Sequence, residues 1–335
     1  MDILSLIKPK DLTDFMQNYD YNTDFIGNTL FPAEKTDDLE FSISNLVENG
    51  NVPAIAKVHA FDSQALIGSR EAITVKNYQK LLIKEKLPTS ERAQYLLQSN
   101  AGEDKLVKHI YNDFDIENQR VLARVELMNM QLVSTGQVQI AENNVSLTVD
   151  YGYDGTNHNV AFTNWGTASH SILSDLTALQ ERANAKGYVL TRALTSAKVL
   201  SYLTKNTEIK DVLLKLGKYP TQKNALDYIY EQYGIQFATN DAVYKIEGGD
   251  ATTHRFFPEN KIAFMTDGDF GRGFYAPTPD ELMNIPSAKE VDLRANVYIK
   301  AWKEQDPSTV WTMASAVYVP VVRDINSLYI ATVSA

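Results

Sequence analysis

The sequence predicts an α+β protein: a long helix carrying a β-sheet, with a separate α/β lobe inserted before the chain ends in strands. Three observations predict this. Between Glu103 and Ser134 the apolar residues Val107, Ile110, Phe114, Val121, Val125, Met128 and Leu132 recur at steps of three or four. They fall on one face of a helix, while Lys105, Lys108, Arg120 and Glu126 point elsewhere. Residues 166–290 alternate helical patterns with short strands, the texture of an α/β lobe. Residues 295–333 are rich in β-branched and aromatic residues and have no helix of their own to cover them.

Taken in order, residues 1–52 read as an arm, polar and rich in Asn and Asp. Its aromatics Phe15, Tyr19, Tyr21, Phe25 and Phe31 have no sustained period, so it needs another surface to bury them on. Residues 53–88 read as a β excursion, with strands Ala54–Phe61 and Ile73–Ile83 bounded by Pro53 and Pro88. A lone hairpin is marginal in water, so this one leans on something outside its own domain. Thr89-Ser90-Glu91 starts a short helix, and residues 89–165 hold the long helix and a hairpin.

That helix has an Asn100/Glu103 cap and a stop at Gly136. It would run roughly 48 Å at 1.5 Å per residue. The polar run at Asn112-Asp113-Phe114-Asp115 is its expected weak point. In the hairpin, Gln137–Ile140 and Val145–Tyr151, the residues Val145, Leu147, Val149 and Tyr151 alternate, so one face is buried.

Within 166–290 the helical patterns are Leu173–Ala185, Ser196–Thr204, Thr207–Leu216 and Thr221–Tyr233. The strands are Tyr188–Thr191, Ile235–Ala238, Val243–Glu247, His254–Phe257 and Ile262–Met265. In residues 291–335, Ala295–Trp302, Val310–Val322 and Leu328–Val333 form strands separated by turns at Gln305-Asp306-Pro307 and Asp324-Ile325-Asn326. All three strands are expected to return to the long helix and its hairpin.

Bulk composition narrows the function classes. The chain has 335 residues, 44% hydrophobic and 22% charged, the balance of a globular protein. With no cysteine there is no disulfide, thiolate metal site or thiol nucleophile. The apolar run Ala316–Val322 is too short to span a membrane and contains Pro320. Against 32 basic residues stand 42 acidic ones, a net charge of −10, with no basic cluster of the kind that binds nucleic acid specifically.

No constellation supports catalysis, a cofactor or a metal. Asp267-Gly268-Asp269-Phe270-Gly271 looks like a metal-binding loop but lacks its later ligands, so it reads as a glycine-rich turn after strand Ile262–Met265. Ser169-His170-Ser171 with Asp175 holds the residue types of a hydrolytic triad. It lacks the strand-turn-helix elbow, and a serine-capped helix explains it. The five histidines are scattered, with no pair at i and i+4.

Three stretches then carry a resemblance: Phe256-Phe257-Pro258-Glu259-Asn260-Lys261-Ile262, the run from Tyr298, Lys300 and Trp302 through Asp306-Pro307 to Thr312-Met313 and Ser315-Ala316, and Leu30-Phe31-Pro32 with Glu34-Lys35-Thr36. Taken in chain order they resemble the phage major capsid protein E family, the lambda-type major head proteins of Hong Kong 97-like fold. The resemblance implies that residues 1–52 are the N-arm, 53–88 the E-loop, 89–165 the P-domain, 166–290 the A-domain, and 291–335 strands returning to the P-domain.

It further implies a subunit that assembles with itself into hexamers and pentamers of an icosahedral shell, its E-loop reaching over a neighbour. Such a shell belongs to the virion, is assembled in the host bacterial cytoplasm, and encloses double-stranded DNA without binding it specifically. A scaffolding extension is absent, so a separate scaffolding protein is expected, with a portal and, in some relatives, a decoration protein. Arg70 and Glu71, beside the Gly68 turn, are expected to form inter-subunit ion pairs, and Phe31 and Pro32 to make assembly contacts. Lys84 and Lys86 carry no mark of a covalent cross-link. Two rival readings are an encapsulin-like nanocompartment shell and a metal-dependent hydrolase using Asp267, Asp269 and His254.

Overall fold

The stretch expected to be one long helix is one: α3 runs unbroken from Glu103 to Thr135 in the computed structural model. The structure describes residues 9–18, 25–46, 73–95, 103–142, 144–246, 252–284 and 296–334. Before α3 come α1 (Pro9–Asn18), α2 (Ile26–Leu30), β1 (Ala33–Lys35), β2 (Glu40–Leu46), β3 (Ile73–Gln79), β4 (Leu81–Thr89) and a helical turn at 91–95. After it come β5 (Gln137–Glu142), β6 (Val145–Asp150), α4 (Gly155–His158), β7 (Asn159–Phe162), α5 (Ile172–Asn184), β8 (Leu190–Thr195), α6 (Ala197–Lys205), α7 (Thr207–Lys215) and α8 (Gln222–Tyr233). Then follow β9 (Gln236–Thr239), β10 (Val243–Lys245), β11 (Thr253–Arg255), β12 (Lys261–Thr266), β13 (Gly271–Ala276), α9 (Pro279–Asn284), β14 (Tyr298–Gln305), β15 (Ser308–Val322) and β16 (Tyr329–Val333).

The chain divides into two compact units. The first comprises residues 1–41, 79–129 and 271–321. Its sheet has the order β1-β13-β15-β14, and β4 also pairs with β15. Two antiparallel neighbours flank the first half of β15: β14, with Tyr298 opposite Ser315, and β4, with Thr312 opposite Leu87. Alternation along β15 explains the packing. Thr312, Ala314 and Ala316 share one face and are fully buried. Side chains this small let the α3 backbone approach closely, and Glu117 of α3 accepts a hydrogen bond from Thr312 Oγ1 at 2.9 Å.

The apolar stripe of α3 is buried as its periodicity requires, with Ile110, Phe114, Val121, Val125, Met128 and Leu132 all within 3% of full burial. Two features differ from the sequence reading. The polar run at 112–115 stays helical, because Asp113 is buried and accepts from Thr89 Oγ1, while Phe114 is fully buried. Glu126, read as pointing away, is 1% exposed: both its carboxylate oxygens accept the Gly27 backbone N–H, at 3.0 and 3.3 Å. The short helix α2 has no side-chain cap of its own, so the long helix supplies a carboxylate to its N-terminus.

The second unit comprises residues 42–78, 130–270 and 322–335. Its main sheet has the order β7-β16-β12-β8-β9. The apolar faces of α5, α6, α7 and α8, including Leu176, Leu200, Leu213 and Ile229, share a core with Phe264, Tyr329 and Ala331 of that sheet. Ser171, Ser196, Asn206 and Thr221 each cap the helix that follows by accepting a backbone N–H. In the β5–β6 hairpin the expected alternation holds only near its base: Val149 and Tyr151 are 1% exposed, whereas Val145 at the tip is 49% exposed.

Three boundaries differ from the sequence reading, and a fourth cannot be compared. The last strand, β16, joins the second unit's sheet between β7 (parallel) and β12 (antiparallel), and does not return with β14 and β15. β-propensity makes 328–333 a strand but does not choose its neighbour. Residues 271–284, expected in the inserted lobe, supply β13 and α9 to the first unit. The run Ile73–Ile83 is two strands broken at Lys80, and β3 pairs with β2, residues that read as part of the arm. The strand expected at Ala54–Phe61 lies outside the described residues.

Candidate assembly surfaces

Of the four residues expected to make assembly contacts, Arg70 and Glu71 lie outside the described residues. Phe31 and Pro32 are built into the first unit. Phe31 is 2% exposed, and its ring lies over Gly271, where a Cβ would stand only 2.8 Å from two of its carbons. Pro32 C=O accepts Gly273 N–H at 3.0 Å, and β1 then runs parallel to β13 with Ala33 opposite Gly273. The arm is therefore threaded into a core from residue 25 onward, because glycines at 271 and 273 leave room for Phe31 and its backbone. Further upstream, the ring of Phe15 packs 5.1 Å from that of Tyr111, and Met16 is 3% exposed.

Gly27 is held as closely. A Cβ there would lie 2.1 Å from Glu126 Oε2 and 2.6 Å from Asn129 Nδ2. Gly27→Ala is therefore expected to destabilise the unassembled subunit by about 1–3 kcal/mol through overpacking. A shift in denaturation midpoint with an unchanged slope checks it.

Lys80 is the node at the base of the β2–β3 ribbon. Its side chain is 5% exposed, and Nζ donates to Thr36 Oγ1 and to the Asp38 carbonyl, while its backbone N–H donates to Leu39 C=O. Burial pulls the ammonium below its ordinary pKa, and the Asp38 and Asp37 carboxylates oppose that pull. Lys80→Met keeps the aliphatic stem but leaves the Asp38 carbonyl without this donor. The expected loss is about 1–3 kcal/mol, read as faster hydrogen exchange at the Lys80 amide. Exchange at the wild-type rate would count against the node.

The outer face of the first unit's sheet is aromatic and cationic. Trp302 and Trp311 stack at 6.3 Å between ring centroids. Lys86 Nζ sits 4.4 Å over Trp311, Lys300 Nζ sits 5.1 Å over Trp302, and Trp311 Nε1 donates to Glu304 at 2.8 Å. Asp280 of α9 binds both Lys84, at 2.8 Å, and Lys300, at 2.6 Å. Burial alone would raise the Asp280 pKa, but the two lysines outweigh it and hold it below the ordinary value. Lys84 and Lys86 are thus engaged by an acid and an indole of their own unit.

The residues that resembled catalytic groups have structural partners. Asp175 binds His170 Nε2 at 2.8 Å and accepts Trp165 Nε1–H at 2.7 Å. Ser171 does not complete the line, since its Oγ donates to Glu208 and caps α5. Asp267 accepts the Gly268 N–H in a turn whose Gly268 has φ +89°, and Arg192 binds the carbonyls of Thr266 and Gly268. His254, on β11, packs on Tyr244. Among the described residues no three His, Asp or Glu side chains converge on a metal position.

A group absent from the sequence reading is the buried carboxyl of Glu117, fully inaccessible between α3 and the sheet. Its Oε1 accepts from Thr312, but Oε2 has no hydrogen-bond partner. Burial pushes its pKa up to about 8 from 4.5, against hydrogen bonds from Thr312 and the Leu87 backbone, and the charges of Asp113 and Glu85 add to the rise. Its spacing four residues after Asp113 is an ordinary helical repeat, so only the packed sheet distinguishes it from a solvated glutamate.

Solved structures of phage proteins superpose on this chain. A protein described as the capsid protein of a prophage in E. coli CFT073 superposes with a TM-score of 0.65 at 14% identity, over 97% of this chain and 98% of that one. A phage-related protein from Bordetella bronchiseptica RB50 gives 0.55 at 12% identity, over 96% and 95%. The mature capsid of bacteriophage PhiM1 gives 0.50 at 9% identity, over 94% and 88%. No curated protein matches by sequence. At these identities the likeness shows the fold, which is that of Hong Kong 97-like phage capsid proteins. The family model for phage major capsid protein E matches residues 8–333, nearly the whole chain, so the chain belongs to the phage major capsid protein E family.

Proposed function

We propose that this chain is the major head subunit of a tailed bacteriophage, whose copies close into hexamers and pentamers of an icosahedral shell around packaged double-stranded DNA. The observation that carries this reading is the family match across residues 8–333. The acidic balance agrees with it: phosphate adhesion comes from Lys and Arg, and a net charge of −10 suits a wall that must not trap the genome. The chain is not an enzyme in this reading, since its triad-like side chains are taken up by caps and ion pairs. A separate scaffolding protein, a portal and, where the shell is reinforced, a decoration protein are its proposed partners, and host cytoplasm is the place of assembly.

Arg70 and Glu71 are proposed to pair across subunits. Arg70→Glu alone should reduce particle yield, and adding Glu71→Arg should restore it; equal yields for all forms would remove the pair. For the function itself, electron microscopy of the chain co-expressed with its genomic neighbours should show uniform icosahedral particles containing DNA. A permanent monomer at high concentration, or shells filled only with a protein cargo, would overturn it.

A further inference from the structure

We propose that a cleft of the second unit, built around the ammonium of Lys261, binds a small carboxylate-bearing molecule. The cleft has a volume of about 340 Å³ and lies wholly within that unit, so it asks nothing of neighbouring copies. Strand register builds its floor. Asn159 of β7 and Ala263 of β12 both stand opposite Ile330 of β16, and one row on, Ala161 and Lys261 both stand opposite Thr332. Side chains of these two rows share one face of the sheet, because strand side chains alternate. The opposite face, with Phe264, Tyr329 and Ala331, packs on the helices. Ser134 and Thr135, at the C-terminal end of α3, form the wall.

The polar groups of the floor are donors. Lys261 Nζ donates to Ser134 C=O at 2.7 Å, one of the last-turn carbonyls that a helix leaves unpaired. That uses one of the three ammonium donors. By contrast, Lys35 binds Glu281, Lys300 binds Asp280, and Lys80 lies near Asp38 and Asp37. Among the described residues no acid pairs with Lys261, and burial alone pulls its pKa below the ordinary value. A half-buried cation without a counter-charge is costly, and a bound anion relieves that cost. Asn159 Oδ1 accepts from Tyr153 OH at 3.0 Å, which commits that oxygen and leaves the amide N–H groups to donate. Thr332 adds an exposed hydroxyl, and among the described residues no Asp or Glu lines the cleft.

Charge selects the class of anion. The ammonium brings one positive charge, while α3 ends here with its negative pole, equivalent to about half a charge. That balance falls short of what a dianionic phosphate needs and suits a single carboxylate. One carboxylate oxygen would accept from the ammonium, and the other from a neutral donor, Thr332 or Asn159. Ile330 and Ala161 supply apolar floor for a short carbon chain. At about 30 Å³ for each water-sized unit the cleft takes roughly eleven such units, the size of a short-chain carboxylic acid.

Butyrate is the probe. The purified full chain should broaden the proton resonances of butyrate, and the broadening should saturate in the millimolar range. Lys261→Met keeps the aliphatic stem and should weaken binding at least tenfold. Thr332→Val leaves the bond to Ser134 untouched, so it should melt at the wild-type temperature without ligand and still bind at least threefold more weakly. Inorganic phosphate should compete at least tenfold less well than butyrate itself. Broadening that never saturates, wild-type affinity in either variant, or phosphate binding more tightly than butyrate would each overturn the proposal.

Discussion

Phe31→Ala should lower the unfolding free energy of the unassembled subunit by about 3–5 kcal/mol, the cost of emptying a buried aromatic site. Phe31 is 2% exposed, lies over Gly271, and is followed by the Pro32 carbonyl that accepts from Gly273. The two glycines cannot fill the space that the ring would vacate, so collapse into the cavity is limited and the upper part of the range applies. Urea denaturation of dissociated subunits measures the change. The same experiment separates two roles for this residue. If the free subunit loses stability, Phe31 anchors the arm within its own chain. If the free subunit is unchanged and particle yield falls, its contact is with a neighbour, as the resemblance of Leu30-Phe31-Pro32 to a capsid arm implies.

Glu117→Gln should remove a pH dependence from the stability of the first unit. In the folded state the Glu117 pKa is raised to about 8, whereas an unfolded glutamate titrates near 4.5. Between these values the folded state holds a proton that the unfolded state has released. Stability from this group is therefore full below about pH 4.5, declines as pH rises toward 8, and stays at its lowest above that. The total change is on the order of a few kcal/mol, at about 1.4 kcal/mol per pKa unit.

Glutamine keeps the shape and an acceptor for Thr312 Oγ1 but carries no charge at any pH. The variant should match wild type near pH 5 and exceed it at pH 9, with the difference opening between those limits. Around the site, Asp113 and Glu85 add to the rise, and Arg120 is held by Glu85 at 2.6 Å. Parallel stability curves for variant and wild type from pH 5 to 9 would show that Glu117 is ionised throughout.

Much of the secondary structure was legible in local pattern. The seven apolar residues from Val107 to Leu132 place a helix within one residue of its observed end, because a 3.6-residue period over about seven turns admits one reading. The serine cap at 171, the glycine stop at 136 and the turn after Gln305 follow from the same short-range chemistry. The family resemblance was carried by ordered motifs along the chain, and the family match extends over the same span.

Side-chain partnership across long separations was not legible. Glu126 and Gly27 are 99 residues apart, and Glu117 and Thr312 are 195 apart. A glutamate on a helix reads as solvated unless something covers it. In both cases the cover is an element whose position depends on the whole fold. The last strand shows the same limit from another side. Its residues require a strand, yet the place between β7 and β12 exists only after the second unit's sheet has formed.

By itself, then, the sequence determined the long helix from Glu103, four helices between residues 166 and 290, and the closing strands, together with the family to which the chain is similar. Tertiary structure alone decided that a carboxylate of that helix caps α2, that Ala33–Lys35 of the arm joins the first sheet, and that Glu117 loses its water. The physical reason is range. Periodicity and capping act over a few residues and are written locally, whereas burial and desolvation are properties of surfaces that only folding brings together.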